Sequence, residues 1–348
     1  MRAITLVPGR AGSVRLDEVE EPSPSYGPVL VDTIAMGVCG TDAEIVRGDY
    51  GWAPPGRERL ILGHESLGRV AEAPEGSGLA AGDLVVGIVR RPDPVPCESC
   101  AVGEWDMCRN GRYTERGIKE LDGFGSERYR VEPGFAIRLD PGLERVGVLL
   151  EPASVLAKAW EQVERIGARS HWTPKRALVT GAGPIGLLAA LLGVQRGLEV
   201  HALDQVTGGP KPGLVADLGA TYHTGSLAGA CPDPDVVVEC TGVGQLVFDA
   251  MTALAPDGIV CLIGVSAAGR SVQVDAGAIN RELVLENNAI VGSVNANRRH
   301  YEAAAKALDE ADEGWLERLI TRRVPLERFS EALQRRPGDV KVVVDFTR

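Results

Sequence analysis

A glycine-rich segment in the second half of the chain constrains the fold most. It joins a short apolar run at residues 176–180 to an apolar, helix-like stretch at 187–196, and it reads Gly181-Ala182-Gly183-Pro184-Ile185-Gly186. In a dinucleotide-binding turn the first glycine allows a tight turn, the second admits a pyrophosphate and the third lets the helix pack closely. The helix N-terminus then faces the negative phosphates. We therefore predict cofactor contacts along this segment, at Gly181, Gly183, Pro184, Ile185 and Gly186.

An acidic residue stands eighteen positions after the last of these glycines, at the end of the next strand-like run, residues 199–204. The carboxylate of Asp204 can accept hydrogen bonds from both hydroxyls of a ribose, and it would repel a 2′-phosphate. The sequence therefore favours NAD over NADP. Lys211 lies close enough along the chain to keep NADP possible.

Strand-like and helix-like segments alternate around this site. Apolar runs at 236–240, 259–264 and 289–293 are separated by helix-like stretches. This alternation predicts βαβ units and a doubly wound parallel sheet, which is a Rossmann domain. We expect it to span residues 156–297.

The first 90 residues have a different pattern, with short strand-like runs separated by loops rich in proline, glycine and serine. Such spacing predicts a β-rich, partly closed barrel. We expect residues 1–155 to form this domain and residues 298–348 to return to it through a last strand at 341–346. The predicted fold class is α/β with two domains, which suits a chain of 348 residues.

Composition narrows the partners and the location. A net charge of −11 without a concentrated basic stripe argues against nucleic acid and against an anionic membrane. No run approaches the roughly 18 apolar residues that cross a bilayer, and the N-terminus is not that of an export signal. We therefore expect a cytoplasmic protein that acts on a small molecule.

Two short motifs near the ends of strand-like runs offer ligands for zinc. Cys39 follows the run at 29–35, and Gly63-His64-Glu65 precedes the run at 67–73. Zinc used in catalysis takes three protein ligands and keeps one position open. We predict Cys39 and His64 as ligands, with Glu151 or Glu65 as the third, exchanging with water.

A zinc ion beside a bound dinucleotide would stabilise an alkoxide, which releases hydride from its carbon more easily. Thr41 is predicted to pass the hydroxyl proton outward. Asp42 is either a turn-forming residue or a carboxylate that orients His64. Glu151 either starts a surface helix or lies in a cleft between the domains, and we favour the cleft.

A polar, irregular lobe at residues 91–125 contains three of the seven cysteines, Cys97, Cys100 and Cys108. The lobe has too little apolar content to fold by burial alone, so a structural metal would supply what the core does not. In a chain without an export signal, this spacing favours metal binding over disulfides.

In this order along the chain, these motifs resemble the zinc-dependent medium-chain dehydrogenase family over essentially the whole length. Within the family the chain is most similar to the glucose (aldose) 1-dehydrogenases of archaea. The similarity is carried by residues 39–46, 89–91, 115–118, 122–124, 150–152, 274–278 and 292–295.

The resemblance implies a GroES-like catalytic domain, a Rossmann domain, and oxidation of the anomeric hydroxyl of a pyranose to a lactone. A homodimer or homotetramer is also implied. The implied sugar contacts are Thr41, Glu115, Glu151, Asn295 and His300. The implied further cofactor contacts are Gly264, Val265, Ser293, Val294 and Asn295.

Three positions need comment beside this family pattern. Glu44 stands where many members have histidine, and with Thr41 and Glu65 it is a candidate catalytic residue. Pro94 stands where the wider family has the first of four lobe cysteines, so either Asp93 supplies the fourth ligand or the lobe is metal-free. Asp204 differs from the basic residues that some close relatives carry.

The sequence predicts a zinc-dependent, NAD-preferring sugar or polyol dehydrogenase, with glucose or a close relative as the substrate. One alternative is the same machinery acting on a cyclitol, an amino sugar or another polyol. Another is a zinc-free NAD(P)H-binding protein, in which Cys39 and His64 are structural residues.

Overall fold

The computed structural model describes residues 1–266 and 269–347. Contacts divide the chain into two compact units. Unit 1 comprises Met1–Ser154 and Asn295–Arg348, and unit 2 comprises Val155–Val294.

The N-terminal part of unit 1 consists mostly of short strands. They are β1 (Arg2–Leu6), β2 (Arg15–Glu18), β3 (Val29–Val38), β4 (Leu60–Ile61), β5 (Glu65–Glu72), β6 (Leu84–Gly87), β7 (Arg90–Arg91), β8 (Thr114–Arg116), β9 (Glu120–Leu121), β10 (Arg128–Val131) and β11 (Ala136–Arg138). The helices are α1 (Gly40–Arg47) and α2 (Glu98–Ala101). Short 3₁₀ turns occur at Pro24–Tyr26, Trp105–Met107, Pro133–Phe135, Pro141–Arg145 and Gly147–Leu149.

Unit 2 alternates strands and helices after α3 (Leu150–Gly167), which begins in unit 1. The strands are β12 (Arg176–Thr180), β13 (Glu199–Leu203), β14 (Thr221–His223), β15 (Val236–Glu239), β16 (Ile259–Leu262) and β17 (Ala289–Gly292). The helices are α4 (Pro184–Gln195), α5 (Pro210–Asp217), α6 (Leu227–Ala230), α7 (Gly244–Met251) and α8 (Ala276–Leu285).

These strands form a parallel sheet in the order β14-β13-β12-β15-β16-β17. Its central strands are apolar because both faces of a parallel sheet are covered. Leu178, Val237 and Val260 from three neighbouring strands belong to one buried cluster, together with Leu227 and Leu254. Helix α4 is apolar nearly all round, and most of its residues are buried.

The C-terminal part of unit 1 contains α9 (Arg298–Asp309), α10 (Glu313–Leu319), β18 (Ile320–Pro325), a 3₁₀ turn at Leu326–Arg328, α11 (Phe329–Ala332) and β19 (Lys341–Asp345). The main sheet of this unit has the order β11-β6-β5-β3-β19-β18, and β10 also pairs with β3. The last strand therefore joins the sheet of the N-terminal residues, beside β3. Among the described residues, no helix combines the length and apolarity needed to cross a bilayer.

Candidate active site

A cysteine, a histidine and a glutamate meet in unit 1. One ligand atom each from Cys39, His64 and Glu65 lies within 4.8 Å of the other two, and Cys39 Sγ is 3.0 Å from His64 Nε2. Cys39 caps the N-terminus of α1, where its sulfur accepts the N–H of Thr41 at 3.3 Å. Glu65 begins β5 immediately after His64. A thiol, an imidazole and a carboxylate at this spacing are a donor set that fits zinc.

Asp42 lies beside the imidazole of His64, at the ring nitrogen that does not face Cys39. It is fully buried, its Oδ1 lies 3.3 Å from His64 Nδ1, and its Oδ2 accepts the N–H of Cys39 at 2.9 Å. Burial lowers the pKa of His64, but the charges of Cys39 and Asp42 outweigh it and raise that pKa well above its ordinary value. Asp42 therefore both starts the helix and contacts His64, which were alternatives in the sequence.

Cys39, His64 and Glu65 form the candidate ligand group, and Glu151 is not a member of it. Glu151 nevertheless interacts electrostatically with His64 and Glu65. It is the second residue of α3 and is 9% exposed. Burial raises the pKa of Glu151 to about 7, while the charge of His64 lowers it and that of Glu65 raises it further. Glu151 is thus a buried carboxyl group near His64 and Glu65 rather than the start of a surface helix.

The sequence reading missed one residue at this site. Lys341, at the start of β19, forms a buried ion pair with Oε2 of Glu65. Burial lowers the pKa of Lys341, but the charge of Glu65 outweighs it, and the pKa is raised. A lysine that precedes the apolar run Val342-Val343-Val344 is the only trace of this contact in the sequence.

The remaining predicted catalytic residues lie on α1. Thr41 is half-buried, next to the sulfur of Cys39. Glu44 is exposed, and its backbone carbonyl accepts the N–H of Asp49 at 3.0 Å. The structure thus brings Thr41, but not the side chain of Glu44, into contact with the ligand group.

A second buried polar cluster in unit 1 is centred on Glu115. Its Oε1 accepts hydrogen bonds from Arg90 Nε at 3.0 Å, Arg90 Nη2 at 2.9 Å and Asn295 Nδ2 at 2.8 Å. Asn295 has a left-handed backbone, with φ at +61°. Two of the predicted sugar contacts are therefore joined by a hydrogen bond, although 180 residues separate them.

His300, another of the five predicted sugar contacts, lies in the first turn of α9 and is 1% exposed. Its Nδ1 accepts the backbone N–H of Asn297 at 3.1 Å, and the Asn297 side chain donates to Asp106 Oδ1 at 2.7 Å. One ring nitrogen therefore caps the helix.

The predicted dinucleotide loop joins β12 to α4. Gly181 has φ at +85°, and a Cβ there would stand 2.9 Å from Thr241 Cγ2. A Cβ at Gly186 would overlap the carbonyl oxygen of Gly181, so the third glycine is needed for the helix to pack on the turn. A Cβ at Gly183 would meet nothing within 4 Å, which leaves the backbone there open to a ligand.

Asp204 follows β13 beside this loop. Its carboxylate accepts the N–H of Ala182 at 2.7 Å, the N–H of Val206 at 3.0 Å and a hydrogen bond from Lys211 Nζ at 2.8 Å. Burial raises the pKa of Asp204, but these three donors outweigh it and lower the pKa. Lys211, which kept NADP possible in the sequence, forms an ion pair with the carboxylate.

The other predicted cofactor contacts lie at the ends of β16 and β17. Gly264 donates its N–H to the carbonyl of Glu239 at 2.9 Å, and Val265 is 83% exposed. Ser293 is buried, whereas Val294 is exposed and accepts a hydrogen bond from the buried Lys158 at 2.9 Å. The carboxyl ends of parallel strands are where such sheets bind ligands.

The three lobe cysteines meet at the N-terminus of α2, where one sulfur each from Cys97, Cys100 and Cys108 lies within 4.8 Å of the others. Backbone N–H groups of Arg109 and Cys100 donate to Cys97 Sγ at 3.4 and 3.5 Å and lower the pKa of Cys97 to about 6. Burial raises the pKa of Cys100 to about 11. Three thiols so arranged suit zinc.

Asp93, the predicted fourth ligand, lies outside the group that the three cysteines form. Its carboxylate instead accepts the N–H of Val95 at 2.8 Å and the Asn110 side chain at 2.9 Å, and it pairs with Arg112 at 3.3 Å. These three donors satisfy the carboxylate without a metal, and the role of Asp93 as the fourth ligand stays a prediction.

The fold and the site define a class, namely a dehydrogenase with a metal-ligating β-rich unit and a Rossmann unit. Residues 25–141 match the family described as alcohol dehydrogenase GroES-like domain, and residues 144–346 match the glucose dehydrogenase C-terminus. The glucose 1-dehydrogenases of Methanocella arvoryzae and Thermoproteus tenax are each 40% identical to the chain, with 99% of both chains covered.

Solved structures point the same way. The glucose dehydrogenase of Haloferax mediterranei in complex with NADP, Zn and gluconolactone has a TM-score of 0.92 at 33% identity, with 100% of both chains covered. The chain belongs to the glucose dehydrogenase branch of the zinc-dependent medium-chain dehydrogenase family. The predicted family, the α/β fold class and the reaction class, zinc-dependent oxidation of a CH–OH group with NAD(P), are confirmed.

Proposed function

We propose that this chain oxidises glucose or a close relative at C1 to the lactone and transfers hydride to a nicotinamide dinucleotide. The observation that carries the proposal is the Cys39–His64–Glu65 group, in the same unit as the hydrogen-bonded pair of the buried Glu115 and the partly buried Asn295. Relatives described as glucose 1-dehydrogenases and a similar structure that holds NADP, Zn and gluconolactone support this substrate class.

In this proposal Cys39 and His64 hold the catalytic zinc, and Glu65 or Glu151 is the third ligand. Zinc, when bound, supplies a Lewis acid that favours the alkoxide form of the sugar hydroxyl. Asp42 fixes the ring orientation of His64, because carboxylates beside a ligating imidazole select its tautomer. Thr41, beside the Cys39 sulfur, takes up the hydroxyl proton and passes it outward.

Glu115 and Asn295 would recognise the sugar. They offer an acceptor and a donor in a fixed arrangement, because Arg90 holds the carboxylate of Glu115 at 2.9 and 3.0 Å. A site built to hydrogen-bond substrate hydroxyls rejects analogues that lack them by factors of about 10⁴–10⁵. This favours a polyhydroxylated substrate over a simple alcohol. A cyclitol or an amino sugar remains the second candidate, since both carry the same hydroxyl pattern in part.

The first experiment tests the zinc ligands. Cys39→Ala and His64→Ala should abolish glucose-dependent reduction of NAD(P). Both variants should also lose the catalytic zinc, while they still bind the dinucleotide. Cys240→Ala in unit 2 is the matched control and should retain both. Near-normal turnover by Cys39→Ala, or turnover by wild type stripped of zinc with a chelator, would show that the ligand set is wrong.

We also propose that NAD is preferred over NADP, on the strength of the Asp204 carboxylate beside the dinucleotide loop. Replacing Asp204 by Ala removes the charge that would repel a 2′-phosphate and leaves Lys211 to attract it. The ratio of kcat/KM for NADP over NAD should rise by at least ~tenfold, since hydrogen bonds to a charged group contribute about 1.5–3 kcal/mol. An unchanged ratio would contradict the assignment.

An assembly of two or four copies is proposed from the edge of the unit 2 sheet. Strand β17 ends the sheet order, and Val284 and Leu285 on the preceding helix are 64% and 57% exposed. An open edge beside apolar side chains is a pairing surface. Light scattering should give a dimer or a tetramer, and a monomer at micromolar concentration would contradict this.

We also propose a cytoplasmic location. All seven cysteines are free thiols, which supports this location.

A further inference from the structure

The buried ion pair between Lys341 and Glu65 joins the C-terminal strand to the ligand group. Lys341 begins β19 and Glu65 begins β5, and these two strands flank β3 on opposite sides. The two residues are 1% and 2% exposed. The pair is therefore fully removed from water, where a cation and a carboxylate interact far more strongly than at the surface.

The carboxylate reaches Lys341 by crossing β3 at Gly37. In the sheet register Gly37 lies opposite Glu65 on one side and Val343 on the other. A Cβ at position 37 would overlap Oε2 of Glu65. The missing side chain of Gly37 thus provides the space that lets Glu65 contact the next strand but one.

The surroundings explain why a cation is placed here. The thiol of Cys39 and the carboxyl groups of Asp42, Glu65 and Glu151 all act electrostatically within this cluster. Lys341 interacts with Cys39 and Glu151 as well as with Glu65. Its charge offsets the negative charge of the cluster and gives Glu65 a partner other than a metal.

Glu65 therefore has two possible partners. One of its carboxylate oxygens lies within 4.8 Å of the ligand atoms of Cys39 and His64, while Oε2 contacts Lys341. A zinc site with three protein ligands keeps a position open for substrate, whereas a fourth protein ligand closes it. If Glu65 stays paired with Lys341, the zinc keeps an open position for substrate. If Glu65 binds the zinc, that position is closed.

We propose that Lys341 is a positioning residue that holds Glu65 toward β19, so that Glu65 does not become a permanent fourth ligand and the sugar hydroxyl keeps its place on the metal. The proposal rests on the zinc ligands named under Proposed function, in the arrangement where Glu151 is the third ligand beside Cys39 and His64. It assigns the C-terminal strand a part in setting the coordination of a site whose ligands come from the N-terminal half of the chain.

The test compares the zinc-loaded wild type with Lys341→Met, which keeps an unbranched side chain only one atom shorter and removes the charge. Release of zinc to an excess of chelator should be at least ~tenfold slower in Lys341→Met, because removing a nearby positive charge and freeing a carboxylate both strengthen cation binding. Its kcat should fall at least ~tenfold, with the KM for dinucleotide unchanged. Lys341→Arg retains the charge and should restore both values.

Lys306→Met is the matched control, because it removes the same charge from an exposed position on α9, in the same unit. It should behave as wild type. Faster zinc release from Lys341→Met, or a wild-type kcat, would overturn the proposal. If Lys341 only stabilised the fold, its replacement by Met would loosen the site and speed the release of zinc.

Gly37→Ala provides a second variant in case Lys341→Met does not fold. It leaves the lysine in place and blocks the path of the carboxylate, so slower zinc release and a lower kcat are again expected, and unchanged values would overturn the proposal. Failure of the ligand set itself would be seen separately, as full zinc retention by Cys39→Ala.

Discussion

Replacing Arg90 by Met should strongly destabilise unit 1, because it leaves Glu115 as a buried charge without its cation. The guanidinium contacts Glu115 Oε1 twice, at 2.9 and 3.0 Å, and the two side chains are 6% and 8% exposed. Breaking a buried pair by removing one partner costs about 3–5 kcal/mol. Arg90 also lies 3.7 Å from the centre of the Tyr113 ring and donates to the carbonyl of Asp106, so the upper half of this range is expected.

Calorimetry measures this effect. In a domain of this size 1 kcal/mol moves the midpoint by about 2–4 °C, so a loss of about 4–5 kcal/mol should lower Tm by roughly 8–20 °C. Arg128→Met is the control, because Arg128 pairs with Asp32 at 3.0 Å on the surface of the same unit, with 46% and 53% exposure. Such a pair contributes about 0–1 kcal/mol.

The double replacement Arg90→Met with Glu115→Leu should recover much of the lost stability, because the orphaned charge is then gone. It should not recover glucose oxidation. If Arg90→Met unfolds at the same temperature as Arg128→Met, the buried pair does not carry the energy assigned to it.

Three further outcomes are expected. Gly186→Ala should lower the Tm of unit 2, because its Cβ would overlap the carbonyl oxygen of Gly181. Gly183→Ala should fold normally and lose NADH binding in a fluorescence titration, because the backbone there is open to a ligand. Equal effects of the two variants on Tm and on NADH binding would contradict these roles. In metal-free protein the lowered pKa of Cys97, about 6, means that its thiolate is largely formed at pH 7, so alkylation followed by mass spectrometry should modify Cys97 before Cys100, whose pKa is about 11. Burial and the charge of His201 lower the pKa of His223, so the unfolded state takes up the proton first and the stability of unit 2 should fall as the pH drops below about 6.5. Calorimetry between pH 5 and 8 should show a weaker dependence in His223→Gln.

Many of the candidate residues could be named from the sequence because they stand in short motifs. The dinucleotide loop needs three glycines between a strand and a helix, and Asp204 follows at the end of the next strand, so local spacing contains the whole motif. Cys39 and His64 could be named for a similar reason, since each stands beside a turn at the end of a strand. The contacts of Asp93 could not be predicted, because the sequence does not show which donors surround a carboxylate.

The sequence by itself determined the family, the α/β fold class and the reaction class, which is zinc-dependent oxidation of a CH–OH group with NAD(P). Only the tertiary structure decided how the charges are paired. Lys341 meets Glu65 across Gly37, and Glu115 meets Arg90 and Asn295, through strand registers and packing that join residues up to 276 positions apart. The physical reason is that a buried charge is tolerated only with a partner, and that partner is selected by the sheet rather than by neighbours along the chain.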